Sequence, residues 1–233
     1  MLEWSQTSLP EPASVQAFNL QIVYEGCLVV AVFISFVVLF FMRMVVFNTA
    51  TCSVYLECGR LEVFWSVLPF IFLVCICSIS VFALYVNDET QWGSFSWCSS
   101  SLPHQWYWSY QVGVDGGPEV FKWDSRIVSR SVDSPMDFQD YWTVDRPLPV
   151  PVGGVTRVLV TSEDVLHSWG APRLLLKIDA IPGRLTRGLF ELKLPGVIKG
   201  MCVELCGAYH SMMPTIIEGF GEADFWQWAS RSS

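Results

Sequence analysis

The segment Cys202-Val203-Glu204-Leu205-Cys206-Gly207-Ala208-Tyr209-His210-Ser211-Met212-Met213-Pro214 places two thiols, an imidazole and a thioether within twelve residues. Three chemistries fit such a run. The thiols could close a disulfide in an oxidising compartment. Cys and His could hold zinc. Neither uses the thioether, a soft ligand that suits copper, and copper electron-transfer sites combine imidazole and thiolate with a weak Met. On spacing, copper is favoured over the other two.

A copper site of this type needs a second imidazole, and the chain has three His. His167 stands in Ser162-Glu163-Asp164-Val165-Leu166-His167-Ser168-Trp169, just after an alternating run that ends at Thr161. A strand end is a rigid place from which to bring a distant ligand onto a loop. The remaining cysteines promise less. Cys27, Cys75 and Cys77 lie in apolar runs, where a thiol is a small filler; Cys52 and Cys58 read as reduced thiols, and Cys98 stands alone without a role.

The elements that must position these groups divide at Val86. Before it, Gly26–Phe47 is apolar but for Arg43, and Val63–Val86 is an uncharged run of 24 residues. A helix needs about 20 residues to cross the hydrocarbon core, so both read as transmembrane helices, with Arg43 snorkelling to the interface. The predicted organisation is an outer segment over 1–25, spans over 26–47 and 63–86, an inner loop over 48–62, and a water-facing domain over 87–233. Arg60 lies in the short loop and Arg43 at its edge, whereas residues 1–25 hold Glu3, Glu11 and Glu25 and no base. The positive-inside rule therefore puts the loop on the matrix or cytosolic side and both termini opposite. No signal or transit peptide is read, because either would carry positive charge near the start.

Beyond Val86 the pattern changes to short strands. Trp106–Val112, Val155–Thr161 and Arg173–Asp179 are predicted strands, Arg146–Pro151 an extended connection, and Glu222–Ala229 a short amphipathic helix. Short strands punctuated by Gly and Pro predict a β-sandwich or barrel. The 233-residue chain is 52% hydrophobic, 15% charged and carries a net charge of −8. Those values exclude a disordered chain and a basic nucleic-acid binder.

Cys-x-Glu-x-Cys-Gly-x-x-His-Ser-x-Met resembles the signature of cytochrome c oxidase subunit II. Three more stretches resemble the same family in the same order: His104-Gln105-Trp106-Tyr107-Trp108-Ser109-Tyr110, the His167 segment, and Lys177-Ile178-Asp179-Ala180-Ile181-Pro182-Gly183-Arg184. The resemblance runs from about Glu25 to the end and weakens between Val112 and Asp145. It implies a membrane-anchored all-β fold: an N-terminal two-helix transmembrane hairpin followed by a cupredoxin-like Greek-key β-barrel. It further implies a dinuclear copper centre, CuA, with Cys202 and Cys206 bridging both coppers and His167 and His210 binding one each. Met213 and the backbone carbonyl of Glu204 complete the two sets, and Met212 is packing.

The same resemblance implies the setting. Electrons from reduced cytochrome c would arrive at Trp106, an indole expected to be exposed near copper, and pass to the haem of subunit I, where oxygen is reduced with coupled proton translocation. Glu163, Asp164 and Asp145 would steer the basic cytochrome c, with the acids from Asp115 to Asp140 filling in because Gln111 stands where many relatives have an acid. The Glu204 side chain would share a magnesium (or manganese) ion with subunit I, and Glu62 would lie at the inner mouth of the K proton pathway. No haem is expected in this chain, which would sit in the mitochondrial inner membrane with its copper domain in the intermembrane space. Two other classes differ by metal content: a quinol oxidase subunit II holds no copper, and a tethered copper chaperone holds one.

Overall fold

The computed structural model describes residues 9–51, 57–89, 97–114, 119–128 and 142–232. Cys52 and most of the acids from Asp115 to Asp140 lie outside the described residues. The chain forms two compact units, Asn19–Asp88 and a second made of Met1–Phe18 together with Glu89–Ser233.

The first unit holds most of helices α1 (Val15–Phe47) and α2 (Gly59–Glu89). Both are long and apolar enough to cross a membrane, and almost none of their surface is buried. In water such faces would be a large uncovered apolar area, and lipid covers them. The few polar side chains satisfy themselves locally: Ser35, Ser66 and Ser78 each donate to the carbonyl four residues earlier, at 2.8–2.9 Å. The guanidinium of Arg43 rests 4.8 Å from the Phe47 ring centre, one turn on.

Both helices are longer than the predicted spans. α1 starts at Val15 rather than Gly26 because Ser14 caps it, its Oγ accepting from the Ala17 N–H at 3.1 Å. Hydropathy marks only the part of a helix that meets lipid. α2 starts at Gly59 rather than Val63, which puts Glu62 in its first turn, where a carboxylate complements the helix dipole.

The second unit is two five-stranded sheets around one core. One has the order β3-β2-β1-β5-β8, from β1 (Trp97–His104), β2 (Tyr107–Val114), β3 (Glu119–Ser125), β5 (Val155–Val160) and β8 (Thr186–Glu191). The other has the order β4-β10-β9-β6-β7, from β4 (Leu148–Pro151), β6 (His167–Ala171), β7 (Leu176–Ala180), β9 (Gly196–Cys202) and β10 (Pro214–Phe220). Trp97, Trp108, Tyr110, Trp169, Phe190 and Phe225 are the largest side chains buried between them. Helix α3 (Glu222–Ser232) closes the chain, and Phe225 meets Trp97 edge-to-face at 4.7 Å.

The strand predictions need four corrections. β2 begins at Tyr107, since Gln105 and Trp106 form the turn from β1. β1 itself escapes a hydrophobic pattern because Ser99 and Ser101 fill its inward positions. Arg146–Pro151 is more than a connection: Leu148–Pro151 is a strand paired parallel to β10 at the sheet edge, where proline is tolerated. Arg173–Asp179 is broken, because Pro172–Leu174 winds a 3-10 turn and Leu175 adopts φ 52° before β7 starts. The outer segment also belongs partly to the β unit. Ala13 N–H donates to Arg173 O at 2.8 Å, Lys193 N–H to Ala13 O at 3.1 Å, and the Arg173 guanidinium holds Glu11.

Candidate metal centre

Strand pairing brings the distant ligands together. β6 and β9 are antiparallel through Trp169↔Cys202, so the start of β6 at His167 lies beside the end of β9 at Cys202. The two strands run close enough that a Cβ at Gly200 would collide with the Gly170 carbonyl. The loop from Val203 to Met213 then returns the chain into β10. Its end is tied by Cys202 N–H donating to Met213 O at 3.2 Å and by the Trp108 indole N–H donating to the same carbonyl at 3.2 Å.

The donor atoms converge. Cys202 Sγ and Cys206 Sγ are 3.9 Å apart. His167 Nδ1 is 3.8 Å from the Cys202 sulfur, and His210 Nδ1 is 3.5 Å from the Cys206 sulfur. Met213 Sδ lies 3.5 Å from Cys206 Sγ, and Glu204 O lies 3.3 Å from Cys202 Sγ. His167, Cys202, Cys206 and Met213 are all at most 4% exposed. Metal–ligand bonds of about 2.0–2.3 Å at tetrahedral angles put donors about 3.3–3.8 Å apart, so this set fits metal ligation. A soft set of thiolate, imidazole and thioether selects copper. The thiols are also unlike one another. Burial would raise the Cys202 thiol, but hydrogen bonding to His167 and to backbone groups outweighs it and brings it below the ordinary thiol range. Burial and the neighbouring Cys202 push Cys206 up. A bound cation would offset that repulsion by favouring both thiolates.

A carboxylate orients the ring of His167. Asp164 Oδ1 lies 2.8 Å from His167 Nε2 and accepts from Val165 N–H at 2.6 Å, while Oδ2 accepts from Gln105 N–H at 2.7 Å. Gln105 Nε2 in turn donates to Cys206 O at 2.8 Å. Sequence reasoning read Asp164 only as a docking acid and passed over Gln105. The available signal was the spacing of three residues between Asp164 and His167 in a short loop, the usual reach of an outer carboxylate that fixes a ligating imidazole.

The other expected residues are placed as follows. Trp106 is half-buried rather than exposed, with Nε1 buried and the ring against Gly207 and Tyr209. Glu163 is exposed beside Asp164. Asp145 accepts from Arg126 N–H at 2.7 Å and Arg146 N–H at 2.8 Å, so it fastens a loop. The Glu204 carboxylate lies 3.9 Å from Lys177 Nζ, which also contacts Asp179 at 3.3 Å. Glu62 belongs to the helical unit.

Comparison with known proteins agrees with this geometry. Residues 98–220 match the family described as cytochrome C oxidase subunit II, periplasmic domain, and residues 2–84 match its transmembrane domain. Cytochrome c oxidase subunit 2 of Drosophila miranda is 34% identical over 100% of this chain and 99% of its own. That of Albinaria caerulea is 33% identical over 97% of this chain and 98% of its own. The crystal structure of the periplasmic domain of subunit II of Bradyrhizobium japonicum cytochrome oxidase superposes with a TM-score of 0.52 at 33% identity, covering 60% of this chain and 95% of that one. A membrane-anchored chain with two apolar helices, a cupredoxin-like β-domain and a buried copper-type His/Cys/Cys cluster, it belongs to the cytochrome c oxidase subunit II family.

Proposed function

We propose that this chain is the electron-accepting subunit of a respiratory cytochrome c oxidase, taking electrons from reduced cytochrome c at a dinuclear copper centre, CuA, and passing them to the haem of subunit I for oxygen reduction coupled to proton translocation. The observation that carries this reading is the symmetry of the donors. Two thiols 3.9 Å apart are each faced by one imidazole nitrogen, at 3.8 Å and 3.5 Å, with a thioether by one thiol and a carbonyl by the other. Those donors exceed what one tetrahedral ion takes, and they divide into two sets if the thiolates are shared. When bound, copper supplies reversible one-electron chemistry.

The chain's own groups do the rest. The β6–β9 pairing and the short loop hold the donors in place before metal arrives, which keeps rearrangement on electron transfer small. Asp164 keeps the Nε2 edge of His167 engaged so that Nδ1 faces the metal. Trp106 receives electrons, and its neighbour Gln105 bridges to the Cys206 carbonyl. Glu163, Asp164 and Asp145 present negative charge to a basic cytochrome c. The Glu204 carboxylate, 3.9 Å from Lys177 Nζ, would be this chain's contribution to a magnesium (or manganese) site completed by subunit I. Glu62, in the first turn of α2, opens the proton pathway on the inner side. The location that fits is the mitochondrial inner membrane, with both termini and the copper domain in the intermembrane space.

Copper analysis and electron paramagnetic resonance of the full chain test this directly. Two coppers per chain and hyperfine structure from one electron spread over two equivalent copper nuclei are expected. Cys202→Ser should abolish both, because a hydroxyl stays protonated where a thiolate would bridge. One copper with a localised spectrum, or retention of the shared spectrum in Cys202→Ser, would refute the dinuclear assignment.

A further inference from the structure

Trp106 is only partly exposed at the copper end. Its Nε1 is buried without a hydrogen-bond partner, and its ring is half-buried. One side of the ring rests on the ligand loop: a Cβ at Gly207 would stand 3.2 Å from Trp106 Cζ2 and 3.3 Å from Nε1. Tyr209 also packs against the Trp106 ring, edge-to-face at 4.8 Å and 73°. Tyr209 is itself 57% exposed and immediately precedes His210, while Leu205 on the same loop is 78% exposed. Tyr209 is therefore the more exposed of the two rings.

We propose that Tyr209 is a positioning and contact residue for electron transfer: its edge-to-face contact holds the Trp106 indole against the Cys206–His210 loop, and its exposed surface receives the apolar haem edge of the electron-donating protein. This rests on the reading of Trp106 as the place where electrons arrive. The electron balance leaves Tyr209 unchanged. One electron leaves the donor's haem iron, which goes from ferrous to ferric, and reduces the metal centre by one, while the phenol keeps its proton. A Tyr ring suits the task, since it offers a large rigid apolar face at low entropic cost. Steering and contact are thereby separated. The acid next to Trp106 is Asp164, bonded to Gln105 N–H at 2.7 Å, and with exposed Glu163 it acts at long range through screened charge. Tyr209 acts at contact range, where salt has little effect.

The test uses the assembled oxidase carrying Tyr209→Ser, Tyr209→Phe or Trp106→Phe, with three readouts: equilibrium binding of oxidised cytochrome c, stopped-flow transfer from reduced cytochrome c, and the copper spectrum, each at low and high ionic strength. Tyr209→Ser should weaken binding and slow transfer by about two- to tenfold, the factor an edge-to-face aromatic contact is worth. The loss should be the same at both ionic strengths, with an unchanged copper spectrum, and Tyr209→Phe should restore both values. Normal binding and transfer in Tyr209→Ser beside slow transfer in Trp106→Phe would overturn the role of Tyr209 and leave Trp106 standing. Normal transfer in Trp106→Phe would remove the underlying reading. A shifted copper spectrum in Tyr209→Ser would assign the effect to His210 ligation and overturn the proposal.

Discussion

Replacing Asp164 with Asn removes one charge while keeping the shape, and the geometry says what that should cost. The carboxylate serves four neighbours: His167 Nε2 at 2.8 Å, Val165 N–H at 2.6 Å and Ser162 Oγ at 3.2 Å on Oδ1, and Gln105 N–H at 2.7 Å on Oδ2. A carboxylate accepts on both oxygens, whereas an amide has one acceptor oxygen and an NH2 that donates. In Asp164→Asn, one side of the group must therefore turn donor to donor, so either His167 and the Val165 N–H or the Gln105 N–H lose their acceptor. A hydrogen bond to a charged group is worth about 1.5–3 kcal/mol. Independently, removing an outer carboxylate from a ligating His costs about 10–100-fold in metal affinity, or roughly 1.4–2.8 kcal/mol. The two routes agree. Competition against a chelator of known affinity, on the full chain in detergent, should show copper held at least tenfold more weakly. The metal-free protein should melt about 3–12 °C lower, at roughly 2–4 °C per kcal/mol for a unit of this size. Glu163→Gln is the control: that exposed side chain should leave copper affinity unchanged. Copper affinity in Asp164→Asn within twofold of the parent would refute the orienting role.

Gly207→Ala should be disproportionately damaging for one methyl group. Gly207 has φ +125°, a conformation that costs other residues about 1–3 kcal/mol, and its added Cβ would press on Gln105 and Trp106 at 3.2 Å. Differential scanning calorimetry should show a melting point several degrees lower, and an unchanged value would show that the loop relaxes without strain. Glu62→Gln should slow steady-state oxidase turnover while leaving the copper spectrum and reduction by cytochrome c intact. Normal turnover across the working pH range would reduce Glu62 to a helix-end carboxylate.

Much of the site was legible because its ligands are local. Cys202, Glu204, Cys206, His210 and Met213 sit on one short loop, so their chemistry shows in the order of residue types, and the strand ending near Thr161 pointed to His167. The lipid-facing parts of α1 and α2 were equally plain, because hydropathy over a run needs no partner to read. What failed had a common cause. β1 carries Ser99 and Ser101 inward, so its alternation is invisible to any apolar count. β4 contains prolines that only an edge position permits, and whether Leu148–Pro151 lies at an edge depends on β10, far along the chain.

Sequence by itself determined the two lipid-crossing helices, the predominance of strands after Val86, and the donor types of a soft-metal loop, all of which follow from composition and short-range spacing. Tertiary structure alone decided that Asp164 clasps His167 rather than standing free, that Trp106 packs against Tyr209, and that residues 11–14 join the β unit through Arg173 and Lys193. The physical reason is the same in each case: an acid, an indole or a backbone N–H is defined by what faces it. Those partners come from strands and loops whose adjacency is set by sheet pairing and core packing, not by distance along the chain.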